Sequence, residues 1–105
     1  MYNINIEIKF EWDEKKNRKN IIKHGISFEE AVTVFYDDDA IVFDDPEHSI
    51  DENRFLIVGV SENSKLCIVS HCYRDDEVIR IISARTAVKK EKEYYNNQFM
   101  RGDKA

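Results

Sequence analysis

A chain of 105 residues, 42% hydrophobic and 35% charged, reads as one globular domain spanning residues 1–105 and excludes a disordered chain. Its formal charge of −5 looks wrong for a nucleic-acid binder, yet the acids are concentrated. Residues 37–52 hold eight acidic and no basic groups, while residues 53–105 hold ten basic and seven acidic. Local potential decides what binds, so a cationic surface stays open to this chain and the acidic run reads as a solvated loop.

In chain order, Asn5–Trp12 alternates Ile6, Ile8, Phe10 and Trp12 with polar residues, which predicts a strand. Asp13 as N-cap and Gly25 as the left-handed C′ residue bracket a helix of about twelve residues. That helix is polar and basic, with Lys16, Asn20, Lys23 and His24 at helical spacing on one side. A solvated face and a phosphate-tracking face both fit. Ser27-Phe28-Glu29-Glu30 is a capping box, and Phe28, Ala31, Val32 and Phe35 form a core-facing stripe behind it. Ala40–Phe43 reads as a short strand and Asp44–His48 as a turn around Pro46.

Arg54–Ser61 predicts a strand in which Gly59 marks a bulge or a close backbone approach. Leu66–Tyr73 and Val78–Ser83 predict a hairpin closed by Arg74-Asp75-Asp76-Glu77. Cys67 and Cys72 lie on the first of these strands, five apart. They point to opposite faces, cannot pair with each other, and fit a reducing cytoplasm. If Tyr73 pairs with Val78, His71 stands opposite Arg80, with Cβ atoms roughly 5 Å apart on a face shared with Val69, Val78 and Ile82. The closing helix spans Thr86–Phe99 and includes Ala87, Val88, Glu91, Tyr94, Tyr95 and Phe99. Helices and strands in separate groups predict an α+β fold with an antiparallel sheet. No apolar run approaches the ~20 residues of a membrane span, and no signal-peptide pattern opens the chain.

Three blocks of this sequence carry a resemblance. They are Phe10-x-Trp12-Asp13-x-x-Lys16 with Asn20-x-x-Lys23-His24-Gly25-Ile26-x-Phe28-x-x-Ala31, then Asp44-Asp45-Pro46 with Arg54-Phe55, then Arg80-Ile81-Ile82-Ser83-Ala84-Arg85-x-Ala87 with Glu91 and Tyr95. Together they resemble the BrnT toxins of BrnT/BrnA type II toxin–antitoxin systems, within the RelE-like ribonucleases. The resemblance implies a RelE-like fold: a twisted antiparallel sheet, two N-terminal helices and a C-terminal helix. It also implies metal-independent RNA cleavage that blocks translation, with no cofactor. The implied partner is a BrnA-like antitoxin with a ribbon–helix–helix domain, through which alone operator DNA is reached.

RNA supplies its own nucleophile in the 2′-OH, so such an enzyme must move protons and hold phosphate charge. Imidazole suits the first task and guanidinium the second. The candidates are therefore His71 as general base or acid and Arg80, Arg85 and Arg54 as phosphate binders. Glu91 or Tyr95 would be the second proton-transfer group or the residue orienting Arg85, and Lys16, Lys23 and His24 would bind RNA. Each has a plainer reading. His71 fits a structural strand histidine, Arg85 fits an ion pair with Glu91, and Tyr95 fits a core residue with its hydroxyl at the rim. Asp44, Asp45, His48 and Asp51 offer hard metal ligands but match no calcium-loop motif. A non-catalytic domain that only binds a partner in a repressor complex is the rival function. No nucleophile elbow, phosphate-cradling glycine loop or zinc spacing occurs in the chain.

Overall fold

The computed structural model describes residues 8–75 and 77–102, with side chains as far as Gln98. The elements are β1 (Lys9–Glu11), α1 (Glu14–His24), α2 (Phe28–Val34), β2 (Ile41–Asp44), β3 (Arg54–Val60), β4 (Leu66–Asp75), β5 (Val78–Thr86) and α3 (Lys89–Gly102). A 3-10 turn at Pro46–His48 separates β2 from β3. Residues 5–7 of the expected first strand, Asp76 of the hairpin loop and the Phe99 side chain lie outside what is described.

The five strands form one sheet in the order β1-β5-β4-β3-β2. The meander from β2 to β5 is antiparallel as expected, but β1 pairs parallel to β5, so the sheet is mixed. Most of the chain separates β1 from β5. No hairpin turn imposes an antiparallel pairing on them.

Both expected helix starts form. Asp13 accepts the backbone N–H groups of Lys15 and Lys16, and Gly25 closes α1 at φ 72°, donating to the Ile21 carbonyl. Ser27 caps α2 by accepting from Glu30 N at 3.0 Å. Only half of the expected capping box is made, because the Glu30 carboxylate accepts the Ser61 hydroxyl at 2.7 Å instead. Gly59 stays in regular register with Cys67, and the close approach is what requires it. A Cβ there would stand 3.0 Å from both Ala40 Cβ and Val34 Cγ1.

One face of the sheet buries Ile57, Cys67, Val69, Ile79, Ile81 and Ala84 against Phe28, Ala31 and Val34 of α2. The apolar residues of α1 do not hold it in place, since Ile21 is 43% and Ile22 87% exposed. Buried Asn17 and Asn20 do. Asn20 Nδ2 donates to the Ala84 carbonyl at 2.8 Å and its Oδ1 accepts Ala84 N–H at 3.1 Å. Its amide thus stands in for a neighbouring strand on the edge of β5 that the three-residue β1 leaves unpaired. Asn20 therefore does not join Lys16, Lys23 and His24 as a solvent-facing row.

The opposite face of the sheet carries a smaller core of Val58, Ile68, Ala87 and Tyr95, packed by Ile41, Phe43, Leu56 and Leu66. α3 covers this lower part of the face. The part nearer the β4–β5 hairpin has no helix over it among the described residues.

Candidate functional site

The register places the candidate residues, and it differs from the simple hairpin by one residue. Tyr73 pairs with Ile79 rather than Val78, because the ladder shifts between Tyr73 and Asp75 and leaves Arg74 as an extra residue on β4. A second shift between Ser70 and His71 leaves Ile82 as an extra residue on β5. A one-residue slip exchanges the two faces of a strand, so His71 pairs with Ile81 and Arg80 pairs with Cys72. The expected His71–Arg80 pair does not form.

His71 is fully buried on the helix-covered face, among the rings of Phe35, Phe55 and Tyr73 at centroid distances of 4.8, 6.0 and 5.5 Å. Its Nδ1 lies 3.2 Å from the Val69 carbonyl, and Nε2 has no hydrogen-bond partner among the described residues. Burial pushes its pKa below the usual histidine value, and the Val69 carbonyl opposes this only in part. The imidazole is not on the face that carries Arg80.

That face holds an arginine row. Arg54 on β3 pairs with Cys72 on β4, which pairs with Arg80 on β5, which aligns with Glu11 on β1. Two strand spacings separate Arg54 from Arg80, about 10 Å between backbones. Arg74, the extra residue of the bulge, reaches over the same area. Its Nε lies 3.8 Å from Glu11 and its Nη1 3.7 Å from Glu52. Arg80 Nη1 donates to Glu11 Oε2 at 2.9 Å, and Arg54 Nε lies 3.7 Å from Glu52. Three arginines and two glutamates thus alternate along one chain of ion pairs, and the side chains are 32–52% exposed.

Only the Arg80–Glu11 contact is short enough for a hydrogen bond; the others leave donors over. Arg54 Nε is itself buried without a hydrogen-bond partner among the described residues. A buried donor of this kind favours an anion that can reach it. Beneath the row, the Cys72 thiol is raised by burial first and then by its hydrogen bond to Glu52.

Further down β5, Arg85 makes a two-pronged bond to Glu91, Nη1 to Oε1 at 2.7 Å and Nη2 to Oε2 at 2.8 Å. Glu91 also accepts Val88 N–H at 2.9 Å, so it orients Arg85 and caps α3 at once. The Arg85 bond, more than burial opposes it, holds the Glu91 carboxyl below the usual range. Tyr95 is turned away from the row. Its hydroxyl donates to Asp37 at 2.6 Å, and burial followed by that bond raises its pKa.

Lys16 and Lys23 are exposed on α1, and His24 is half-buried near its end. Asp13 links the start of this helix to the row, since its pKa is lowered chiefly by the Lys16 and Lys15 N–H groups and also by the charges of Lys16 and Arg80. Lys23 and His24 lie about three turns beyond Asp13 and share no described contact with the row. Of the four acidic-loop candidates, only Asp45 and His48 meet, at 2.9 Å. Among the described residues, no group of three or more His, Cys, Asp or Glu side chains is placed to hold a metal ion.

Glu11, Glu52 and Arg74 were not among the sequence candidates. Glu11 reads as an ordinary polar residue of an alternating strand, and Arg74 as a loop residue. Alternation along β4 puts Arg74 on the same face as Cys72, and the bulge is what brings Arg80 to that face as well.

The fold is that of an α+β domain with two helices ahead of a four-strand meander, and one face of its mixed sheet carries a guanidinium row. The chain belongs to the BrnT family, described as the ribonuclease toxin of type II toxin–antitoxin systems, whose model matches residues 12–91. It is similar to the 1.1 Å crystal structure of the Brucella abortus ribonuclease toxin BrnT, with 26% identity and a TM-score of 0.61. That match covers 78% of this chain and 99% of the other. No curated protein matches the chain. Membership of a toxin–antitoxin family implies an antitoxin partner. No helix among the described residues is long and apolar enough to cross a membrane.

Proposed function

We propose that this chain is a single-domain toxin that cuts RNA without a metal ion and so blocks translation in the cytoplasm. The observation that carries the reading is the row Arg54–Cys72–Arg80 with Arg74 above it, on a sheet face that α3 leaves open. Guanidinium groups are permanently charged and forked, matching the non-bridging oxygens of a phosphodiester. In this reading, Arg54, Arg74 and Arg80 hold the phosphate under attack. Arg85, oriented by Glu91, takes a neighbouring one, and Lys16 extends the path at the edge of the sheet. The 2′-OH attacks phosphorus, a cyclic phosphate forms and the 5′ oxygen leaves, with the arginines stabilising charge on the phosphate oxygens.

The inhibitor in this reading is a BrnA-like antitoxin carrying a ribbon–helix–helix domain. It covers the arginine row, because occupying the phosphate site blocks the chemistry most directly, and operator DNA is reached through it alone.

The test is induction of this chain without an antitoxin, beside an Arg54→Ala/Arg80→Ala variant at equal expression, with growth and total RNA followed. Growth arrest with RNA loss that the double variant abolishes is the expected result. No arrest from folded wild-type protein would leave a non-catalytic partner-binding module instead. Arrest by both proteins would move the site off this row.

A further inference from the structure

With His71 in the core, the proton acceptor must be sought on the open face itself. The carboxylates around the arginines differ in how they are held. Both oxygens of Glu91 are bonded to Arg85, and one also caps α3. Asp13 accepts the first N–H groups of α1. Glu52 faces a guanidinium with each oxygen at 3.7 Å, and its charge helps raise the Cys72 thiol. Glu11 differs from all three. Its Oε2 takes both cation contacts, 2.9 Å to Arg80 and 3.8 Å to Arg74, while Oε1 has no bond among the described residues. One oxygen is anchored, and the other keeps its lone pairs on an exposed face, in the row that contains Arg80, Cys72 and Arg54.

We propose that Glu11 is the general base of RNA cleavage; the assignment rests on the ribonuclease reading above. A phosphodiester held by the remaining N–H donors of Arg80 lies beside Glu11 Oε1. The 2′-OH gives its proton to Oε1 as the O2′–P bond forms. The P–O5′ bond then breaks, O5′ takes a proton from solvent, and Glu11 returns its proton to solvent. Nothing is oxidised, and the products are a 2′,3′-cyclic phosphate and a 5′-hydroxyl. Glu11 would thus be a catalytic residue, and its bond to Arg80 would fix its orientation.

Glu11→Gln separates this role from that of a mere counter-ion, because the amide oxygen still accepts from Arg80 but cannot take a proton. The experiment measures single-turnover cleavage of end-labelled RNA by the full-length chain, with and without translating ribosomes, across pH. Binding is followed with an uncleavable 2′-deoxy oligonucleotide. The expected result is a loss of about a hundredfold or more in rate, with binding no weaker. The decline of rate on acidification expected of wild type should also disappear. Glu11→Asp, which keeps the charge but withdraws it by one methylene, should fall between the two and keep that decline; it also serves if the glutamine variant fails to fold. A glutamine variant that cuts as fast as wild type, or faster because a negative charge is gone, would overturn the assignment. So would a slower variant with an unchanged pH profile. Wild-type protein that leaves RNA intact in both settings would overturn the ribonuclease reading itself, and that result is read from the wild-type arm alone.

Discussion

His71 carries a strong physical consequence whatever the chemistry on the other face. With Nδ1 against the Val69 carbonyl, Nδ1 holds the proton and Nε2 is a buried lone pair with no donor among the described residues. Its rings of contact are Phe35, Phe55 and Tyr73, none of which stabilises an imidazolium as a carboxylate would. The folded-state pKa is therefore depressed, so the unfolded chain binds the proton more readily. Stability from this group is complete above the unfolded value of about 6.5 and declines as pH falls from there toward the folded value. Urea unfolding at pH 7.5 and pH 5.5 should show that decline, and His71→Leu should flatten it. The same variant should stay within about 1 kcal/mol of wild type at neutral pH, since it removes an unsatisfied group along with a weak bond. It should also escape the 10²–10⁴-fold rate loss, in order of magnitude about what deleting a general acid or base brings. A loss of that size in a folded His71→Leu protein would return the imidazole to the chemistry.

α3 shows how an element is held without an apolar stripe. Of its described side chains only Tyr95 is buried. The Tyr94 ring packs edge-on against Phe43, and polar pins add to this: the Arg85–Glu91 fork, Tyr95 to Asp37, and Gln98 Nε2 to the Asp39 carbonyl at 2.8 Å. Asp37 is central here. Burial works against its charge, but the Tyr95 hydroxyl and the Val60 and Asp39 N–H groups outweigh it and keep the carboxyl below its ordinary range. Glu91→Gln should destabilise the protein by about 1 kcal/mol, from a weakened cap and a half-exposed ion pair discounted for solvent. The Glu91 contribution is present above its unfolded pKa of about 4.3 and is lost as pH falls through the lower folded value. Hydrogen exchange should quicken in α3 while the amides of β4 and β5 stay protected. Equal acceleration everywhere would mean that α3 unfolds only with the whole sheet.

For the whole molecule, the decisive quantity is where charge sits, not its sum of −5. The acids of residues 37–52 lie mainly around β2 and the turn after it, at one edge of the sheet, while the arginine row crosses β3, β4 and β5. Glu52 is the exception, because it reaches Arg54 and Arg74. RNA binding should therefore weaken with salt despite the acidic total. Arg54→Ala and Arg80→Ala should each reduce the slope of log affinity against log salt by about 0.7, as for one single-strand phosphate contact. Fluorescence titration over a salt series measures this, and unchanged slopes would take the phosphates off the row.

Much of the fold was legible because it is written locally. Asp13 and Gly25 bracket α1, Ser27 starts α2, and the Phe28–Phe35 stripe faces the core, each within one or two helical turns of sequence. The period of the strands, the separate faces of Cys67 and Cys72, and the family blocks are equally local or linear. The parallel seat of β1, the role of Asn20 as a strand substitute and the two bulges depend on contacts between distant segments. Those bulges decide the site, because pairing alternates with period two and one extra residue moves a side chain to the other face. The sequence by itself determined which arginines, glutamates and histidine the molecule has and which elements bear them. Only the tertiary structure decided that Arg80 stands with Arg54, Arg74 and Glu11, and that His71 stands with the core.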